Sequence, residues 1–90
     1  MNETKHHQKN QPVKKFRSGA LTATVWRNET NDTNGNVTEY STVTFERSYK
    51  DKNDMWKTTN SLRVNDLPRA ALVLQKAYEY LALQKEEGVA

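Results

Sequence analysis

The side chains that could do chemistry in this chain are sparse. There is no cysteine, and the two histidines, His6 and His7, stand side by side near the amino terminus. The rest of the chain therefore lacks the usual general base and the usual thiol nucleophile. Two adjacent imidazoles on a segment without periodicity do not preorganise a coordination sphere, so neither a metal nor another cofactor is expected. Among the carboxylates, Glu39 and Glu46 stand seven residues apart. Glu46, between Phe45 and Arg47, reads as an ordinary surface group. The glycines at 19, 35 and 88 are scattered and form no phosphate loop. Asn-x-Thr triplets begin at Asn2, Asn28, Asn31 and Asn36, which is chance in a chain this rich in Asn and Thr. The expectation is a protein that is not an enzyme.

Cations and aromatic rings remain. Residues 1 to 63 carry eleven basic and seven acidic side chains, and residues 64 to 90 carry three and four, so the net charge of +3 belongs to the front of the chain. A basic surface suits a nucleic acid or another anionic partner, and it also serves plain solubility. Proteins that hold single strands combine such charge with exposed rings on which bases stack. Lys14, Lys15, Arg17, Arg27, Arg47, Lys50 and Lys57 are the candidate phosphate contacts, and Trp26, Tyr40 and Tyr49 the candidate stacking groups.

These residues need a scaffold, and 90 residues allow one domain. Residues 1–12 lack periodicity and are read as a disordered tail, with the domain spanning 13–88. The tail has neither the apolar core nor the cleavage site of a signal peptide. A mean hydropathy of −1.02 and the lack of a long apolar run point to a soluble intracellular protein, cytoplasmic or nucleoid-associated. Strands are expected over Val13–Arg17, Ala20–Asn28, Val37–Tyr49 and Met55–Val64. In the second, Leu21, Ala23 and Val25 share one face and Thr22, Thr24 and Trp26 the other. In the third, Val37, Val43 and Phe45 oppose Thr38, Tyr40, Thr42 and Thr44. In the fourth, Trp56, Thr58, Asn60 and Leu62 carry the larger apolar groups and are assigned to the core. Asn34-Gly35 offers the positive φ angles of a hairpin, and residues 50–54 form a charged turn.

From Asn65-Asp66 the period changes to three and four. Pro68 suits a first turn, and Gly88 suits the end of a helix of about five turns. Leu67, Ala70, Ala71, Leu74, Ala77, Tyr78 and Leu81 form its expected core stripe. Leu72, Val73, Tyr80 and Leu83 form a second stripe, too apolar for a solvated face and assigned to a homodimer interface. The class is α+β: a four-stranded curved antiparallel sheet backed by one long carboxy-terminal helix.

The segments KKFRSGALTATVWRNE, VTFERSYKD and SLRVNDLPRAALVL, in that order, resemble the single-stranded-DNA-binding domain of the positive transcriptional coactivator family, whose fold the plant Whirly proteins share. The resemblance covers roughly residues 13–85. It implies a sheet backed by a helix, dimers formed through the helices, and a nucleic-acid strand running over the sheets. Within it Arg27 resembles the arginine closing the second strand, Tyr49 the aromatic ending the third, and Asn65 the cap before the helix. The expected function is low-specificity binding of single-stranded DNA or RNA, in transcription or DNA maintenance. A protein-interaction adaptor that binds no nucleic acid is the alternative.

Overall fold

The computed structural model describes residues 8–89, with side-chain surroundings for residues 9–84. His6 and His7 lie outside the described residues. Strands β1 (Gln8–Ser18), β2 (Leu21–Asn31), β3 (Val37–Lys50) and β4 (Trp56–Thr59) form one antiparallel meander in the order β1-β2-β3-β4. A short 3-10 turn over Val64–Asp66 leads into helix α1 (Leu67–Val89). The fold is α+β, an open four-stranded sheet followed by one helix.

Beyond the expected boundary, β1 begins at Gln8. Residues 8–12, read from their polarity as tail, pair with β2 from Trp26 to Thr30. Backbone hydrogen bonding needs no apolar side chains, so polarity alone could not end this strand. Pro12 is tolerated because β1 is an edge strand and its register shifts between Pro12 and Lys14.

The core lies between β2 and α1. Leu21, Ala23 and Val25 meet Ala70, Val73 and Ala77, all buried, with Val13, Phe16, Ala20, Phe45, Leu62, Tyr80 and Leu81 packed around them. Phe16 and Tyr80 meet edge-on with ring centroids 6.1 Å apart. Ala70 and Ala77 are small enough to let the helix settle onto β2. The helix is therefore rotated from the expected stripe: Leu67, Leu74 and Tyr78 are exposed, whereas Val73 is 2% exposed. It also runs to Val89, past Gly88.

The expected face of β4 is inverted. Lys50 pairs with Trp56 and Ser48 with Thr58, which puts Trp56 and Thr58 on the side away from the helix. Leu62 does reach the core, but from the loop beyond the strand. The break comes at Asn60, whose side-chain amide donates to the carbonyl oxygen of Phe45 in place of a further ladder bond.

The turns joining β2 to β3 and β3 to β4 are the same device. In the first, Asp32 Oδ1 accepts the backbone N–H of Asn34 at 2.8 Å and of Asn36 at 2.9 Å. In the second, Asp51 Oδ1 accepts those of Asn53 at 2.8 Å and Met55 at 3.0 Å. The fourth residue of each loop takes a positive φ, 84° at Gly35 and 66° at Asp54. Each loop is thus a five-residue turn organised by an aspartate, and Asn34-Gly35 is not a two-residue hairpin.

Candidate nucleic-acid interface

Alternation along the strands divides the candidate binding residues between two faces. On the open face, away from α1, lie Lys15 and Arg17 of β1, Trp26 of β2, Tyr40 and Lys50 of β3, and Trp56 of β4. Lys14, Arg27, Arg47, Tyr49 and Lys57 fall on the helix-facing side. These five do not join Trp26 and Tyr40 in one surface. The shift between Pro12 and Lys14 decides which lysine goes where: continued alternation from Pro12 would put Lys14 on the open face, whereas the extra residue puts Lys14 opposite Val25 and Lys15 opposite Thr24.

Several of the five are engaged where they stand. Arg47 Nε lies 3.2 Å from Asp66 Oδ2 and donates to the carbonyl oxygen of Ser61 at 3.1 Å. Asp66 Oδ2 also accepts the Arg63 N–H at 2.8 Å. Arg47 therefore clasps the approach to α1 onto β3, and its guanidinium sits 5.7 Å from the centre of the Tyr49 ring. Lys57 Nζ is 3.4 Å from Asp51 Oδ2. Lys14 Nζ lies 5.7 Å over the Phe16 ring. Asp51 has its carboxyl held below the ordinary value of 3.8, first by the Met55 backbone hydrogen bond and with help from Asn53 and Lys57, against the opposing pull of desolvation.

The open face has a polar interlock and a free ring. Trp26 Nε1–H donates to Thr44 Oγ1 at 2.8 Å, and Asn28 Nδ2 donates to Thr42 Oγ1 at 3.0 Å. Thr24 and Asn28, on either side of Trp26 on this face, are buried. The hydrogen bond to Thr44 pins the half-buried Trp26 to the sheet as a cross-strand structural ring. Trp56 differs: it is 68% exposed, with Lys50 Nζ 5.5 Å from its ring centre. Arg17, Ser48, Trp56, Thr58 and, at its margin, Lys57 line a shallow depression of about 210 Å³. Asn10, Trp26, Asn28, Thr42 and Thr44 line a second, of about 260 Å³. Trp56 escaped the sequence reading because its strand is only four residues long, too short for alternation to declare a face. Its pairing with Lys50 in the folded sheet is what fixes its face.

The expected dimer stripe also divides. Val73 and Tyr80 belong to the core within the chain, so they are not available to a partner, whereas Leu72 and Leu83 are exposed. The continuous exposed apolar line on the helix is Leu67, Leu74 and Tyr78. Tyr78, Leu81 and Ala82 face Glu39 and Ser41 of β3 across a groove of about 760 Å³.

Among the described residues no group of three or more His, Asp or Glu side chains is placed to hold a metal ion. No described helix is long and apolar enough to cross a membrane. The chain matches no family model, no curated protein and no solved structure.

Proposed function

We propose that this protein binds single-stranded nucleic acid, DNA or RNA, across the open face of its sheet and with little sequence preference. One observation carries the reading: Trp56, an indole largely free to solvent, stands beneath Lys50 and beside Arg17 on a face otherwise made of threonine and asparagine. A stacked base and its flanking phosphate need that pairing of a ring with nearby cations. Lys15 extends the positive charge along β1, and the depression at Trp26 continues the path across β2 and β3. Trp56 takes the place of Tyr49 and of the pinned Trp26 as the principal stacking group, and Lys15, Arg17 and Lys50 are the phosphate contacts. The role in transcription or DNA maintenance rests on the family resemblance of the three segments quoted above.

Fluorescence anisotropy of a labelled oligonucleotide tests this, single-stranded against duplex, over a range of salt. Single strands bind more tightly, because the bases of a duplex are already stacked. Affinity falls with salt at a slope of about −0.7 per phosphate neutralised. Equal binding of both forms, or none at low salt, would favour the adaptor reading. That alternative has its own observation, the apolar line and groove on the helix side.

A further inference from the structure

The two long outer flanks of the sheet are treated differently. β1 presents its outer edge with Pro12, the register shift at Val13, and Lys9, Lys14, Lys15 and Arg17 along its length. Proline, irregularity and lysine are the usual means of keeping a sheet edge from pairing with another chain. On the other flank β4 covers β3 only from Arg47 to Lys50. From Val37 to Glu46, therefore, no described strand lies beside β3 on its outer side. That stretch, VTEYSTVTFE, has no proline, glycine, lysine or arginine and is rich in threonine, valine and aromatic residues. It is a regular strand edge without the proline, register shift and lysines of β1, and Asn60 occupies it only at the Phe45 carbonyl, at its β4 end.

We infer that this edge of β3 pairs antiparallel with the same edge of a second copy of the chain. The apolar surface of the helix-facing side points to the same occupant. Val43 is 38% exposed, Tyr78 65%, and Leu74 is exposed as well, while a groove lined by Tyr78 and Ser41 lies between the helix and this part of β3. A two-fold axis through the β3 edge would bring one protomer's apolar residues against those of its partner.

Parity sets the register. If the two sheets merge with both helices on one side, odd positions must face odd positions and even face even. Glu39 then cannot stand opposite Glu46, and a residue near the middle of the edge, Ser41, Thr42 or Val43, faces its own copy. The open faces of the two protomers become one continuous surface. The pairing itself does not depend on what that surface binds.

The chain has no cysteine, so a single introduced one reports cleanly. Directly opposed antiparallel residues have Cα atoms about 4.5–5.5 Å apart, within disulfide range. Ser41→Cys, Thr42→Cys and Val43→Cys are to be oxidised mildly, alongside Gln11→Cys on β1 and Leu72→Cys on the exposed side of the helix. The expected result is a mass near twice 10.4 kDa by light scattering for the unmodified protein. At least one of the three β3 variants cross-links nearly completely, and neither control does. A monomer at hundreds of micromolar overturns the inference. So does a dimer that cross-links through Leu72→Cys and at no β3 position. Melting curves of the reduced variants confirm that each is folded.

Discussion

The two faces of β2 are buried by different means. Toward the helix, Leu21, Ala23 and Val25 are closed off by Ala70, Val73 and Ala77, and the contact is wholly apolar. Away from it, Thr24 and Asn28 are buried as well, and Asn28 donates across the strands to Thr42 as Trp26 does to Thr44. Burial on the first face removes hydrocarbon from water and is the larger stabilising contribution. Burial on the second exchanges water for protein hydrogen bonds, with a net gain of only about 0.5–1.5 kcal/mol each. The second face can therefore keep exposed cations and a free ring at little expense in stability.

Leu21→Ala tests the apolar face with the largest expected effect. A fully buried leucine in a small core loses about 2–5 kcal/mol on truncation, read as a lowered midpoint in urea with the slope unchanged. A loss below 1 kcal/mol would mean that the helix is not the main support of the sheet.

The two tryptophans, which the same face treats oppositely, come next. Trp26→Ala removes a half-buried ring and the hydrogen bond to Thr44, so stability falls by roughly 2 kcal/mol, less than the ~3–5 of a fully buried aromatic. Trp56→Ala changes stability by less than about 0.5 kcal/mol. It weakens single-strand binding by about 1–3 kcal/mol, the worth of one stacked base. The reverse pattern, with Trp56→Ala unfolding the protein and Trp26→Ala abolishing binding, would exchange their roles.

Val43→Ala sharpens the boundary between the faces. Val43 shares its parity with Phe45, yet it stands beyond the cover of the helix, so its loss costs under about 1 kcal/mol in the isolated chain. A larger drop that depends on protein concentration would mark it as part of an interface.

A smaller change comes from the paired turns. Asp54 holds a positive φ that Gly35 holds without strain in the other loop. Asp54→Gly relieves roughly 1–2 kcal/mol of steric cost and adds about 0.5–1 kcal/mol of unfolded-state entropy, a net gain near 0.5 kcal/mol in denaturant titration. The equivalent Gly35→Asp should destabilise.

The same turns set an acid dependence. Hydrogen bonds from the Asn36 backbone foremost, then from Asn34 and the Asn36 side chain, hold the Asp32 carboxyl below its ordinary 3.8, although desolvation opposes them. Asp51 is held down in the same direction by Met55. Folded-state values lying below the unfolded ones mean stability that is fully present above the ordinary value and is lost as pH falls through the lowered one. Melting temperature should therefore drop as pH falls below about 4. Asp32→Asn with Asp51→Asn should flatten that slope, and an unchanged slope would assign the acid response elsewhere.

Within the sequence, period decided the elements. Alternation marked β2 and β3 with their faces, and the change to a spacing of three and four marked the helix, because each backbone geometry repeats its side-chain directions at its own interval. That was enough for the class, for Leu21, Ala23 and Val25 as core, and for Trp26 and Tyr40 on the opposite side. Three features needed the tertiary structure. The helix carries two apolar stripes, and only packing against β2 could choose Ala70, Val73 and Ala77, since two alanines admit the closer approach. The four residues of β4 are too few to carry a period, so Trp56 declared its face only through pairing with Lys50. The extra residue near Val13 shifts β1 by one and so gives the open face to Lys15 and not to Lys14. A local pattern states which residues travel together, but the side on which they arrive is set by what the rest of the chain places against them.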